Sequence, residues 1–246
     1  MGSQSRPSVG GTVVWVTGAR GGIGAAIVEA FVAEGANVVA TDLSIDATPN
    51  YTSRRCDVRS ASDIREIIAW CDSLGGVDTL VNNAGIMRRF HPLEIGPDLW
   101  DEVINVNVKG TLLCSQAAAR SMIRHGRGGA IINIGSVNAE KVFADTVAYS
   151  TSKGAVHSMT RSMALALASS GIRVNTLAPG AIGDTNLEPA RWQDECERGQ
   201  MASLTPLGRL GQSEDIAPAA VFLASPQASF ITGATLYVDG RRVAAV

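Results

Sequence analysis

The run TVVWVTGARGGIGAAIVEAFVAEG, Thr12 to Gly35, joins an apolar, β-branched segment to a glycine turn and then to a helical pattern. TVVWV has the residue types that favour a buried strand, and the apolar positions Ile27, Phe31 and Val32 fall at helical spacing. Gly18, Gly22 and Gly24 give the turn the spacing GxxxGxG, with Ile23 at the start of the helix. Glycines at these points allow a tight turn and a close approach of main chain to a pyrophosphate, whose charge a helix N-terminus stabilises. Strand, loop and helix in this order suit a dinucleotide. Arg20, inside the loop, is read either as a solvated side chain or as a phosphate contact.

Outward from this unit the same alternation continues. Apolar strand signals occur in ANVVAT, VDTLV, AIINI, IRVNTLA and ATLYV. Helical patterns stand between them in DIREIIAWCDSL, WDEVINVNVKGTLLCSQAAARSMI, the segment around Tyr149 and EDIAPAAVFLA. Such alternation predicts a doubly wound α/β fold, a parallel sheet with helices on both faces and right-handed crossovers. Between Asp42 and Asp57 the turn-rich LSIDATPNYTSRRC leaves room only for an abbreviated connection. Residues 1–10 read as a flexible lead, and 11–246 as one Rossmann-type domain with no internal repeat.

Composition sets further bounds. With 246 residues, 46% of them hydrophobic and 18% charged, the chain can bury a large core. A net charge of −2 offers no basic surface for nucleic acid. No apolar run approaches the length of a membrane span, and the first residues lack a hydrophobic signal core, so cytoplasm is the expected location. Cys56, Cys71, Cys114 and Cys196 are scattered, and with His91, His125 and His157 show no metal-ligand spacing. No metal is expected.

Two further patterns carry chemistry. Asp42, at the end of the second strand, stands where a carboxylate meets the adenosine ribose; it would accept hydrogen bonds from the hydroxyls and repel a 2′-phosphate, which favours NAD over NADP. Tyr149 and Lys153 lie four residues apart in AYSTSKGAV, with Ser136 upstream. On a helix, positions i and i+4 share a face, so an ammonium beside the phenol favours its ionised form and turns it toward acid/base work near neutral pH.

Taken together these motifs resemble the short-chain dehydrogenase/reductase family, from about Thr12 to Gly240. NNAG at Asn82 to Gly85 matches the family's sheet brace, and WDEVINVNVKG places Asn107 at its catalytic asparagine. IINIGSV places Ser136, YSTSK supplies Tyr149 and Lys153, and APG at Ala178 to Gly180 matches the turn beside the nicotinamide. The resemblance implies a catalytic set of Asn107, Ser136, Tyr149 and Lys153 that couples hydride transfer to proton transfer. It implies cofactor contacts at Asp57 for the adenine amino group, Val58 beside the ring, Asn83, Ala84 and Gly85, and Pro179, Gly180 and Ile182 near the nicotinamide. Gly21 occupies the position where NADP-using members often carry a basic residue.

The run NNAGIMRR is similar to that of 2-deoxy-gluconate and related keto-sugar-acid dehydrogenases. This implies a polyol, sugar or sugar-acid secondary alcohol as substrate, with Arg88 or Arg89 near a carboxylate; the alternative is that both arginines are surface or subunit-interface residues. Ser136, Asn138 and Trp192 are the other candidate substrate contacts, Trp192 either closing over ligand or packing a lid at residues 181–203. The runner-up activity is 3-oxoacyl carrier-protein reduction with NADPH, and a third class is a catalytically idle dinucleotide binder. The family resemblance also implies a homotetramer, with a dimer as the other possibility, although the ending GRRVAAV departs from the common DGG.

Overall fold

A computed structural model describes residues 9–44, 46–185, 187 and 193–243. In chain order the elements that position the site are β1 (Val13–Thr17), α1 (Gly22–Ala33), β2 (Asn37–Asp42), β3 (Thr52–Arg55), α2 (Ala61–Ser73) and β4 (Thr79–Asn82). They continue with α3 (Pro97–Ile104), α4 (Thr111–His125), β5 (Gly129–Ile134), α5 (Val147–Leu167) and β6 (Ile172–Pro179). Three more complete the fold: α6 (Glu195–Ser203), α7 (Ser213–Ala224) and β7 (Thr235–Val238). Among the described residues the strands form one seven-stranded sheet in the order β3-β2-β1-β4-β5-β6-β7, every pairing parallel. The order reverses between β1 and β4, which opens a crevice at the carboxyl ends of those strands, where ligands bind in such sheets.

Side-chain alternation explains the layering. Val14 and Val16 of β1 enter the face covered by α1 and α7, beside Ile27, Phe31, Ile216 and Leu223. Val13 and Trp15 enter the opposite face with Ile64, Ile67 and Cys71 of α2 and Cys114, Ala118 and Met122 of α4. A strand buried on both faces reads as an unbroken apolar run, as TVVWV does. Trp15 satisfies its one polar atom by donating from Nε1 to Thr41 Oγ1 at 2.9 Å. Val9, within the stretch read as a flexible lead, is buried in the first of the two clusters.

Four local features bear on the sequence reading. The connection from β2 to β3 carries no helix in its described residues, matching the abbreviated segment expected there. Strand β3, TSRR, was not foreseen: it is a half-buried edge strand held by main-chain pairing with β2, and its polar side chains carry no apolar signal. The segment read as one helix from Trp100 is interrupted at Asn105–Gly110 by a π-helical turn between α3 and α4. Within the expected lid the described residues include α6, whose first turn is capped by Asp194 accepting from the Cys196 amide at 2.8 Å.

Candidate active site

The crevice at the switch between β1 and β4 is a cavity of about 530 Å³. One end is built by the glycine loop. A side chain cannot be accommodated there: a Cβ on Gly18 would lie 2.7 Å from the Ala84 backbone, and one on Gly24 would lie 2.1 Å from the Gly18 carbonyl oxygen. The loop is thus pressed against the NNAG segment, and hydrogen bonds fix it. Asn83 donates from Nδ2 to the Gly18 carbonyl at 2.7 Å, while the amides of Asn83 and Ala84 both donate to Thr17 Oγ1 at 3.1 Å. A bare backbone at the N-terminus of α1, open to the cavity, fits a pyrophosphate.

Asp42 closes the same end. Its Oδ2 accepts from the Arg20 amide at 3.1 Å and its Oδ1 from the Leu43 amide at 2.7 Å, so the carboxylate is oriented by the main chain. Arg20 itself is exposed and lines the cavity. Asp57 has a partner not foreseen: the Arg59 guanidinium grips it from Nε at 2.9 Å and from Nη2 at 2.7 Å and holds its carboxyl below the usual range. Val58, beside it, also lines the cavity.

The other end carries the catalytic candidates. Tyr149 and Lys153 share one face of α5 and are both buried, with the ammonium 5.5 Å from the phenol ring centroid. Burial pushes Lys153 down to about 8. Ser136 follows β5 and is oriented by accepting from the Asn138 amide at 3.0 Å. Asn107 sits in the π-helical turn, a geometry that frequently marks functional sites. Its Oδ1 accepts from the Ile86 amide at 2.9 Å, and its Nδ2 donates to the Ile86 carbonyl and to Ser152 Oγ, each at 2.9 Å. Ser152 in turn donates to the Tyr149 carbonyl at 2.6 Å. Asn107 therefore links the segment after β4 to the helix that bears the tyrosine.

Behind this end runs a buried polar chain. Asn82 donates to Ser115 Oγ and to Asn133 Oδ1, both at 2.8 Å, Asn133 donates to Thr160 at 2.9 Å, and Thr176 donates to Thr160 at 2.8 Å. These bonds tie β4, β5 and β6 to α4 and α5, the bracing role implied for NNAG.

Of the residues singled out in the sequence, Ile23, Gly85, Asn138, Pro179, Gly180 and Ile182 also line the cavity. Gly24 and Asn107 do not; they act from behind it. Trp192 lies outside the described residues. Arg88 and Arg89 line the cavity, and each holds a carboxylate of the chain itself: Arg88 pairs with Glu102 at 3.0 Å, and Arg89 Nη1 with both oxygens of Asp145 at 2.8 and 2.9 Å. Sequence reasoning missed Phe143, Met201 and Arg242 as cavity residues. The one signal for Arg242 was the departure from the DGG ending. Among the described residues no cluster could hold a metal ion, and no helix is long and apolar enough to cross a membrane.

A family model described as Enoyl-(Acyl carrier protein) reductase, one of the short-chain dehydrogenase/reductase group, matches residues 18–240. The chain belongs to the short-chain dehydrogenase/reductase family. It is accordingly an oxidoreductase. The chain is 39% identical to galactitol 2-dehydrogenase (L-tagatose-forming) of Cereibacter sphaeroides over 243 residues, covering 94% of each. It is 40% identical to a 3-oxoacyl-(acyl-carrier-protein) reductase of Vibrio harveyi over 239 residues, 94% of this chain and 96% of that one. A gluconate 5-dehydrogenase from Burkholderia cenocepacia, solved in complex with NADP and tartrate, superposes with a TM-score of 0.90 at 34% identity and covers 98% of both chains. Within this short-chain dehydrogenase/reductase, the parallel sheet agrees with the expectation drawn from the sequence.

Proposed function

We propose that the chain interconverts a secondary alcohol and a ketone on a polyol, sugar or sugar acid, with NAD as the redox partner. The observation that carries this reading is the convergence of Tyr149, Lys153 and Ser136 at one end of a cavity whose other end is the glycine loop and Asp42. The nicotinamide dinucleotide, when bound, supplies the hydride acceptor for oxidation and the donor for reduction. Tyr149 takes the hydroxyl proton in oxidation and returns it in reduction. Lys153, charged at neutral pH, stabilises negative charge developing on the phenolic oxygen. Ser136, its hydroxyl already oriented, hydrogen-bonds the reacting oxygen. Asn107 is a positioning residue, since its contacts run to Ile86 and Ser152.

The fixed carboxylate of Asp42 supports NAD, because a 2′-phosphate brought to the adenosine end would meet a negative charge. Names among the relatives, galactitol 2-dehydrogenase and gluconate 5-dehydrogenase, support a polyhydroxylated substrate. The Vibrio harveyi relative favours a second reading, reduction of a 3-oxoacyl thioester with NADPH. Absorbance at 340 nm, followed with NAD and NADP in parallel over polyols, aldoses, aldonic acids and, in reverse, acetoacetyl thioesters, separates the two. NAD-linked oxidation of a polyol or sugar acid is the expected result; NADPH-linked thioester reduction as the dominant activity overturns it.

A further inference from the structure

We propose that His157 is a positioning residue for Ser136: its ring edge, with the methyl of Thr176, forms the floor beneath Gly135 that sets where the serine hydroxyl stands in the cavity. This rests on the secondary-alcohol reading above, in which Ser136 bonds the reacting oxygen. A Cβ on Gly135 would lie 2.3 Å from His157 Nε2 and 2.5 Å from Thr176 Cγ2. The two side chains therefore fill the space that a side chain at 135 would need and close directly on its main chain. Gly135 is not in the left-handed region, so glycine stands here for close approach and not for a turn. Ile134, Gly135 and Ser136 all line the cavity, and the floor acts on the reacting end of it.

Helix α5 thus holds the end of β5 at two points one turn apart. Lys153 reaches the Ile134 carbonyl, and His157 abuts the next residue. From the other side β6 fixes the same residue, the Gly135 amide donating to the Leu177 carbonyl at 2.8 Å. The contact between His157 and Gly135 is one of shape, because Nε2 has no hydrogen-bond partner among the described residues. Across its ring lies Tyr237 of β7, with centroids 6.4 Å apart at 62°, and the Tyr237 hydroxyl donates to Glu140 at 3.5 Å. The charged groups around the ring are Glu140 in the turn after Ser136 and Lys153 and Arg161 on α5; burial, the largest influence, keeps the imidazole neutral near pH 7. A rigid, uncharged ring locked between α5 and β7 gives the serine a fixed base, and a void there would let the segment settle away from the cavity.

The test follows kcat and dinucleotide affinity of the full-length enzyme, using its best secondary alcohol from the 340 nm screen and a titration of dinucleotide fluorescence. His157→Ala should lower kcat by about 10–100-fold, the scale of a displacement near 1 Å at a reacting group. Dinucleotide affinity should stay within about twofold, since the glycine loop and Asp42 lie at the other end of the cavity. His157→Gln, whose amide reaches the place of Nε2, should recover most of the lost turnover. Thr176→Ser deletes the methyl and keeps the hydroxyl bonded to Thr160; a smaller loss in the same direction is expected, and this milder change covers the case in which His157→Ala fails to fold. The deciding arm repeats both substitutions in a Ser136→Ala background, where neither should lower kcat by more than about twofold further, because the group they position is gone. Wild-type kcat in both His157→Ala and Thr176→Ser, or equal losses with and without Ser136, overturns this inference and leaves the secondary-alcohol reading standing. A wild-type enzyme that turns over no secondary alcohol or ketone overturns both.

Discussion

Lys153 donates through Nζ to the main-chain oxygen of Ile134 at 2.8 Å. The bond joins α5 to the last residue of β5 and fixes a buried cation beside the Tyr149 ring. Desolvation weakens the hold of Lys153 on its proton, yet a value of about 8 leaves it mostly charged at pH 7. Geometry and charge therefore both depend on helix and strand keeping their register.

Tyr149→Phe keeps the ring and removes the group that exchanges the proton. Turnover should fall by about 10²–10⁴-fold, the range for a positioned acid/base, with dinucleotide affinity within a few-fold of wild type. Steady-state kinetics with a parallel titration of NADH fluorescence measure the two; near wild-type turnover would remove Tyr149 from its role.

Gly24→Ala places a methyl 2.1 Å from the Gly18 oxygen, a clash with backbone that has no flexible group to yield. Dinucleotide affinity should drop at least about tenfold, with a stability loss of ~1–3 kcal/mol. Gly154→Ala, one residue past Lys153, meets no atom within 4 Å and should gain ~0.5–1 kcal/mol from helix propensity. Calorimetric binding and urea unfolding of the two variants should diverge in opposite directions.

Asp42→Ser removes the negative charge at the adenosine end while leaving a short polar side chain. The ratio of NAD to NADP kcat/KM should fall by at least about tenfold. An unchanged ratio would mean that the carboxylate does not discriminate between the two dinucleotides.

Much of this was legible because it rests on periodicity and on glycine. TVVWV announced a strand, and Gly18, Gly22 and Gly24 announced a tight turn of bare main chain. The i, i+4 spacing of Tyr149 and Lys153 was enough to place them together. Strand β3 was not legible, because an edge strand with the sequence TSRR is specified by its partner's free hydrogen-bonding groups. The Arg59 grip on Asp57 and the Arg242 stack on Phe143 were equally hidden. The latter joins residues that only the closing of the sheet at β7 brings together.

His157 follows Lys153 by one helical turn, is 4% exposed, and its Nε2 has no hydrogen-bond partner among the described residues. Burial, helped by Lys153 and Arg161 and opposed by Glu140, lowers it from 6.5 to about 4. The unfolded chain therefore takes up a proton at a pH where the folded chain does not, so stability is full above pH 6.5 and is lost as pH falls toward 4. The arginine-gripped Asp57 and Asp215 are held below 3.8 and give up their contributions only below about pH 4, outside most of that window. His157→Gln should flatten the fall in the urea midpoint between pH 6.5 and 4; an identical slope would exclude His157 as its source.

Thiol reactivity should divide sharply. Cys56 and Cys71 are buried and pushed up to about 12, Cys114 is fully buried, and Cys196 is exposed at the start of α6. A chromogenic disulfide reagent should modify one thiol per native chain quickly and the rest only on unfolding. Cys196→Ser should abolish the fast phase.

The π-helical turn at Asn105–Gly110 acts as a phase adjuster. A regular helix from Pro97 to His125 would lock the orientation of Asn107 to the orientation of Cys114, Ala118 and Met122, so that improving one would spoil the other. The inserted turn uncouples them: the amide of Asn107 is aimed at Ile86 and Ser152 while the next turns present small apolar residues to the sheet. Catalytic alignment and core packing can then be changed independently along a single rod.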